Sequence, residues 1–143
     1  MITPDANIFL YAYNEDAPQH FAAKKWLEEQ LSSAVDFGLS WQVITAFLRI
    51  STNPKAFPQP FNLQEATEIV DEWLTLPNVE ILTPTAKHWT IFQKLINKGQ
   101  TKAALMMDAH LAALTIEHDA TLATTDSDFQ KFSGLQTINP LFP

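Results

Sequence analysis

Four aspartates in this sequence either follow strand-like segments or interrupt an apolar helix, and their positions suggest a metal site. Asp5 follows the apolar start of the chain, Asp126 and Asp128 follow the segment TLATT, and Asp108 lies in the apolar stretch ALMMDAHLAALTI. A lone buried carboxylate in such a helix would be strongly destabilising or would stay protonated. Several carboxylates that converge without basic partners suit a hard divalent cation such as Mg²⁺ or Mn²⁺. We therefore predict that these four side chains hold a metal.

Most of these residues also have a purely structural interpretation. Asp5 and Asp126 could cap the helices that follow them, and Asp128 could act as a cap or face solvent. Asn7 and Thr124 could hydrogen-bond to the carboxylates and orient them, as metal sites require. Alternatively, Asn7 is an ordinary residue at a helix start and Thr124 an ordinary strand residue. The sequence leaves both interpretations open.

The composition excludes several other kinds of chemistry. The 143 residues contain 16 acidic and 9 basic side chains, a net charge of −7, which argues against nucleic-acid binding by bulk positive charge. Because cysteine is absent, disulfide scaffolds, thiol nucleophiles and iron–sulfur sites are excluded. Only three glycines occur, far apart, so no glycine-rich phosphate loop can be written. The four histidines lack ligand spacing, and we predict structural roles for His20, His88, His110 and His118.

The few basic residues are unevenly distributed. No acidic residue lies between Glu80 and Asp108, and four lysines fall in this interval. Arg49, Lys98 and Lys102 are candidates for contacts with a phosphate backbone next to an acidic pocket. The alternative is an ordinary solvated lysine face.

Short apolar runs alternate along the chain with segments of helical period, which is typical of an α/β domain with a parallel sheet. In such sheets, ligands bind beyond the C-terminal ends of the strands, where Asp5 and Asp126 are predicted to lie. The predicted strands cover residues 1–4, 35–39, 79–82, 121–124 and 135–138. The predicted helices cover residues 8–13, a segment that starts at Asp16, and residues 41–50, 63–76, 85–98, 102–117 and 126–132.

The length predicts one domain over residues 1–143. The N-terminus has no basic region before its short apolar run, which argues against a secretory signal. No apolar stretch approaches the roughly 18 residues needed to span a bilayer. We therefore expect a cytoplasmic protein that does not bind membranes.

Three segments together resemble PIN-domain ribonucleases of the VapC toxin type: PDANIFLYAY, GLSWQVITAFLRISTNP and MMDAHLAALTIEHDATLATTDSDFQKF. The resemblance covers nearly the whole chain, in the right order. It implies a three-layer α/β/α fold and an endoribonuclease that acts on RNA with Mg²⁺ or Mn²⁺. It also implies a homodimer that is inhibited by a small VapB-type antitoxin.

The resemblance extends to individual positions of the family's site. It assigns catalytic, metal-binding roles to Asp5, Asp108 and Asp126. Three further residues match positions that commonly accompany these acids: Asn7, Thr124 and Asp128.

One position departs from the family pattern. Many members carry a glutamate in the helix after the second strand, where this chain has Ala46. Two outcomes are open: Asp128 or a water supplies the missing ligand, or metal affinity and activity are reduced. Because the rest of the pattern is intact, we favour a ligand from Asp128 or a water. Ala46 also motivates a second hypothesis, a PIN-like module without activity that acts through a protein partner. A phosphoacceptor receiver domain fits poorly, because Asp5 stands alone and no lysine follows Leu135.

Overall fold

The protein, described here as a computed structural model covering residues 1–98 and 101–142, is built on one five-stranded sheet. All neighbouring strands are parallel and their order is β3-β2-β1-β4-β5. The predicted parallel sheet of five strands is therefore confirmed. The strands are β1 (Ile2–Pro4), β2 (Phe37–Ser40), β3 (Val79–Leu82), β4 (Thr121–Ala123) and β5 (Gln136–Ile138).

Six α-helices connect these strands. Their bounds are α1 (Ala6–Tyr13), α2 (His20–Leu31), α3 (Trp41–Ser51), α4 (Leu63–Thr75), α5 (His88–Lys98) and α6 (Met106–Glu117). Two short 3₁₀ segments, Ala103–Leu105 and Ser127–Lys131, precede α6 and β5. Within the described ranges, no helix is both long and apolar enough to cross a membrane.

The strand order explains why the helices form two layers. The chain passes from β1 to β2 to β3 in one direction across the sheet, and then from β3 to β4 to β5 in the opposite direction. Because crossovers between parallel strands are right-handed, the two directions place their helices on opposite faces. Accordingly, α1 packs with α2 and α3, while α5 packs with α6.

Local sequence explains where several elements begin. The Ser40 hydroxyl accepts a hydrogen bond from the Val43 amide (3.1 Å), so it caps α3. At the start of α4, the side chain of Asn62 accepts from the Glu65 amide, and that of Glu65 accepts from the Asn62 amide. This reciprocal pair is a capping box.

Three helices begin later than the sequence pattern predicts. Helix α2 begins at His20 rather than Asp16, because the Asn14 side chain accepts from the Asp16 amide and holds a turn there. Helix α5 begins at His88 rather than at residue 85, because the backbone and hydroxyl of Thr85 bond to the Glu117 carboxylate. The helix predicted over residues 102–117 starts with a 3₁₀ turn and becomes α-helical at Met106.

The core holds the ends of the central strands in place. Phe9 of α1 packs against Trp73 of α4, with ring centroids 4.4 Å apart, and against Phe37 and Phe47. On the other side of the molecule, α6 is buried from Leu111 to Thr115. The residues at the start of α1 and α6 are therefore attached to rigid elements.

Candidate active site

The candidate site lies where the direction of chain progression across the sheet reverses. Strands β1 and β4 are neighbours there, although more than a hundred residues separate them. Asp5 follows β1 directly, and its backbone amide donates to the carbonyl of Ala123 in β4 (2.9 Å). Ligands of open α/β sheets bind in the crevice at such a point, outside the C-terminal ends of the strands.

One buried hydroxyl connects the two strand ends. Thr124 Oγ1 donates to Asp5 Oδ2 (3.1 Å) and accepts from the backbone amide of Asp126 (3.0 Å). Thr124 is 5 % exposed, so water competes little for these bonds. The hydroxyl therefore fixes the Asp5 carboxylate and the chain at Asp126 relative to one another.

Asp5 and Asp126 are also caps, as their positions suggested. Asp5 Oδ1 accepts from the Ala6 amide at the start of α1 (2.7 Å). Asp126 Oδ1 accepts from the Asp128 amide at the start of the 3₁₀ segment (2.9 Å). The cap interpretation and the site interpretation are therefore compatible, because each bond leaves oxygen lone pairs available.

Asp108 lies in the first turn of α6 and completes the group. Its pKa is raised to about 6, first by burial and then by the charges of Asp5, Asp126 and Asp128. Burial also raises the pKa of Asp5, although the hydrogen bonds from Thr124 and Ala6 oppose this shift. The Asp108 carboxylate thus lies close enough to Asp5, Asp126 and Asp128 to be affected by their charges.

Basic partners at this site are few. In the described part of the chain, two side-chain ion pairs occur, His88–Glu117 and Lys131–Asp128, and neither involves Asp5, Asp108 or Asp126. The Lys131–Asp128 pair is exposed and 3.5 Å long, so it contributes little. We define the acidic cluster as Asp5, Asp108, Asp126 and Asp128.

The acidic cluster suits a hard divalent cation in charge and donor type. Its members supply only oxygen ligands, and the pKa of Asp108 is raised first by burial and then by the negative charges of the other three acids. Within residues 1–98 and 101–142, no group of three or more His, Asp or Glu side chains is arranged to hold a metal ion by itself. Mg²⁺ commonly keeps several waters and takes only one or two carboxylates, so an open cluster fits such an ion better than a closed cage would.

The remaining predicted residues lie on α1, on α3, on α5 and just before α6. Asn7 is exposed in the first turn of α1, and the Asp5 carboxylate is bonded by Thr124 instead. Arg49 lies in the last turn of α3, about 12 Å along the helix from its start. Lys102 is exposed just before the 3₁₀ turn that leads to α6. Lys98 lines a cavity of about 230 Å³ together with Lys94 and Lys131.

Two of the histidines contact each other, which their spacing in the sequence did not indicate. His88 Nδ1 lies 2.9 Å from Glu117 Oε1, and its Nε2 lies 2.9 Å from His110 Nδ1. We define His88, His110 and Glu117 as the histidine cluster. The available signal was the seven-residue spacing of His110 and Glu117, which places both on one face of α6. His20 and His118 bond to the backbone carbonyls of Tyr11 and Thr83, in structural roles.

Sequence reasoning also missed Gln42, whose Nε2 donates to the carbonyl oxygen of Met107 (2.9 Å), the residue before Asp108. Gln42 lies on α3 one turn before Ala46, the position that departs from the family pattern.

Known proteins resemble the chain over nearly its full length. Residues 2–135 match the family described as PIN domain. Ribonuclease VapC37 from Mycobacterium tuberculosis is 38% identical over 136 residues, which cover 95% of this chain and 94% of the relative. Ribonuclease VapC33 from the same species is 37% identical over 141 residues, 99% of both chains.

Solved structures share the fold at lower sequence identity. A crystal structure of VapBC2 from Rickettsia felis, bound to a DNA fragment from their promoter, matches with a TM-score of 0.69 and 21% identity, over 97% of this chain and 98% of the other. Mycobacterium tuberculosis VapC20, a sarcin-ricin loop cleaving toxin, matches with a TM-score of 0.65 and 16% identity, over 95% and 99%.

Proposed function

Because the chain belongs to the PIN-domain family and is related to VapC ribonucleases, we propose that it is a metal-dependent endoribonuclease that hydrolyses phosphodiester bonds in RNA. The observation that carries this proposal is the Asp108 carboxylate, whose pKa is raised to about 6 beside three other acids. Cap bonds account for Asp5 and Asp126 but not for Asp108, whereas a divalent cation would account for all three.

Asp5, Asp108 and Asp126 would hold the metal, with Asp128 assisting. When bound, Mg²⁺ or Mn²⁺ supplies polarisation of a phosphoryl oxygen and a water of lowered pKa. Thr124 keeps the Asp5 carboxylate in one orientation through its 3.1 Å hydrogen bond. The Asp126 cap bond to the Asp128 amide orients the second carboxylate in the same way. Asn7 remains our candidate for a further polar contact to the site.

The basic residues would position the RNA strand. Lys98 is the best supported of them, because it shares a cavity with Lys94 and Lys131, and Lys131 lies 3.5 Å from Asp128 in the acidic cluster. A strand whose scissile phosphate lies at the acidic cluster would place a neighbouring phosphate near these lysines. Lys102 and Arg49 are weaker candidates, and Arg49 lies at the far end of α3.

A VapB-type antitoxin is the proposed partner, and the structural match to the VapBC2 protein of Rickettsia felis supports it. We also propose a homodimer and a cytoplasmic location, which follow from the resemblance to the family.

The test is cleavage of RNA by the purified chain in Mn²⁺, with Asp108→Asn and Asp126→Asn as the variants. Each change removes a negatively charged ligand, and we expect cleavage to fall by about 100-fold or more. Asp71→Asn, an exposed position on α4, is the matched control and should cleave normally. Full activity in Asp108→Asn would disprove this assignment of the site.

Ala46 supports a second candidate, a PIN-like module that acts through its protein partner without cleaving RNA. It lies on α3, where an alanine offers no oxygen ligand. Calorimetry distinguishes the two candidates: absence of Mn²⁺ binding at millimolar metal, with a tight antitoxin complex retained, would favour the module.

A further inference from the structure

Two of the four tryptophans pack against the core, and the other two lie on the surface. Trp73 is 2 % exposed, and Trp26 is partly buried against the core. Trp41 and Trp89, in contrast, are 55 % and 64 % exposed. An indole gives a large hydrophobic gain only when it is buried, so these two rings contribute little to the stability of the fold. Their surroundings decide whether either ring has a further role.

Trp41 lies at the same edge of the sheet as the acidic cluster. It is the first residue of α3 and directly follows β2. Strands β1 and β2 are parallel, with Ile2 opposite Phe37. Continued along the strands, this register places Ser40 beside Asp5, one residue before Trp41. Because neighbouring strands are about 4.8 Å apart and consecutive Cα atoms about 3.8 Å apart, the Cα atoms of Trp41 and Asp5 lie within about 10 Å of each other.

Helix α6 contributes a second exposed apolar side chain at this edge. Met107 is 58 % exposed and directly precedes Asp108. Its carbonyl oxygen accepts a hydrogen bond from Gln42 Nε2 (2.9 Å), and Gln42 is the neighbour of Trp41 in the chain. The first turns of α3 and α6 are therefore in contact, and each has one large apolar side chain exposed to solvent.

Trp89 is equally exposed but lies elsewhere. It is in the first turn of α5, and its ring centroid is 6.1 Å from that of Phe92. The preceding residue, His88, contacts His110 at 2.9 Å. His110 is two residues after Asp108, about 200° further round α6, and so lies on the opposite face of that helix. Trp89 is therefore an exposed tryptophan on the other side of α6 from Asp108.

An unpaired nucleobase is the ligand that best suits the exposed side chains of Trp41 and Met107. Bases of any sequence stack on an aromatic ring, and a thioether also makes favourable contacts with aromatic rings. A stable protein interface buries about 800 Å² on each partner, far more than two side chains provide. The acidic cluster would take the scissile phosphate, and a base attached one or two nucleotides away can reach Trp41.

We propose that Trp41 stacks on an unpaired base of the RNA next to the scissile phosphate, with Met107 in apolar contact beside it. Bases in a duplex already stack on both faces, so this contact would select single-stranded segments. Lysines would bind the phosphates of any strand, whereas Trp41 would bind only where a base is free. This inference rests on the proposed function, because it concerns the substrate of the same site.

The binding of two single-stranded probes to the full chain in Mg²⁺ tests the inference. One probe is a short oligothymidylate, a DNA strand that the proposed ribonuclease activity would leave intact. The other probe has the same number of phosphates but no bases. We expect the wild type to bind the oligothymidylate about tenfold more tightly than the base-free strand. Trp41→Ala should lose most of this preference, yet bind the base-free strand with wild-type affinity.

Two further variants separate stacking from a general effect of the substitution. Trp41→Phe keeps an aromatic ring and should retain most of the preference for the strand with bases. Trp89→Ala, at the exposed position on α5, is the matched control and should behave as the wild type does. Because a stacked base quenches indole fluorescence, the oligothymidylate should quench the wild type and Trp89→Ala. It should not quench Trp41→Phe, although that variant still binds it.

Circular dichroism establishes that each variant is folded before titration. An unchanged preference in Trp41→Ala would overturn the inference. An equal loss of affinity for both probes would also overturn it, because the effect would then concern phosphates or the fold. A wild type that does not prefer the strand with bases would leave the exposed indole to a protein partner and would likewise overturn it. The proposed function fails separately, through cleavage by Asp108→Asn, whereas the role of Trp41 is measured by binding.

Discussion

The two ends of α6 carry carboxylates in opposite surroundings. Glu117, at the C-terminal end, has a fully buried side chain, yet its Oε1 bonds to His88 (2.9 Å) and its Oε2 to Thr85 (3.0 Å). Asp108, at the N-terminal end, is partly exposed, and its pKa is nevertheless raised to about 6. The difference lies in the neighbours, because Glu117 has bonding partners and Asp108 has three other acids.

The helix dipole makes this contrast sharper. A negative charge is favoured at the N-terminus of a helix and disfavoured at the C-terminus. By that rule, the helix dipole favours a negative charge at Asp108 and disfavours one at Glu117. The bonds of the histidine cluster outweigh the dipole at Glu117, and burial together with like charges outweighs it at Asp108. This contrast supports a structural role for Glu117 and agrees with the metal-binding role that we propose for Asp108.

The largest effect on stability is expected at the histidine cluster. Glu117→Leu removes the buried carboxylate that bonds to His88 and Thr85 and leaves His110 as the remaining side-chain partner of His88, which should lower the free energy of unfolding by about 3 kcal/mol. Urea unfolding measures this change. Glu72→Leu, an exposed position on α4, is the control and should change stability little. A loss as small as the control's would refute a structural role for Glu117.

Metal binding should stabilise the folded chain through the acidic cluster alone. Mn²⁺ at about 100 times its dissociation constant should stabilise the folded chain by roughly 2.7 kcal/mol, which corresponds to a Tm several degrees higher. Asp5→Asn should abolish the rise, because it removes a charged ligand. Thermal unfolding with and without Mn²⁺ measures it. An unchanged rise in Asp5→Asn would remove Asp5 from the site.

Asp108→Asn should stabilise the metal-free chain, the opposite of Glu117→Leu. The folded-state pKa of Asp108, about 6, exceeds its ordinary value of 3.8, so the folded state holds the proton more tightly. The ionised Asp108 carboxylate therefore destabilises the folded state. This destabilisation is absent below pH 4, grows as the pH rises to about 6, and is complete above pH 6. A shift of this size corresponds to about 3 kcal/mol for a fully shielded group. Because solvent reaches this side chain, we expect Asp108→Asn to raise the free energy of unfolding by only about 1 to 2 kcal/mol.

Urea unfolding of the wild type and Asp108→Asn at pH 4 and pH 7, with EDTA, measures this difference. The variant should be the more stable at pH 7, and the two should be nearly equal at pH 4. A variant that is less stable than the wild type at pH 7 would show that the carboxylate has a structural partner.

The smallest effect is expected at Thr85. Thr85→Val keeps the shape of the side chain and removes the hydroxyl that donates to Glu117 Oε2. Because Thr85 is exposed, the loss should be only about 0.5 to 1 kcal/mol. Chemical denaturation measures it, and Mn²⁺ binding should stay at the wild-type value. Reduced Mn²⁺ affinity would mean that the two ends of α6 are not independent.

Much of the fold was predictable because its signals are local. The alternation of apolar runs and helical periods predicted five parallel strands, and the predicted bounds of β3 match those observed. The caps Ser40 and Asn62 were readable from residue type and position. The starts of α2 and α5 could not be read from the sequence, because hydrogen bonds of the Asn14 and Glu117 side chains hold the turns that precede these helices.

Part of the candidate site was predictable for a similar reason. Asp5 directly follows β1 and Asp126 lies three residues after β4, and the parallel sheet brings the ends of its strands to one edge. The contact of Gln42 with the backbone beside Asp108 was not predictable, because Met107 is 65 residues away in the chain.

The sequence alone determined the strand and helix types, the parallel sheet and the positions of acids after its strands, because each depends on periodicity or on the order of a few residues. Only the tertiary structure decided which carboxylates have partners. Asp108 meets three acids and Glu117 meets His88, and both outcomes depend on contacts between residues that are distant in the chain. Such contacts form only when the helices pack, and they distinguish the structural end of α6 from the end that bears the candidate site.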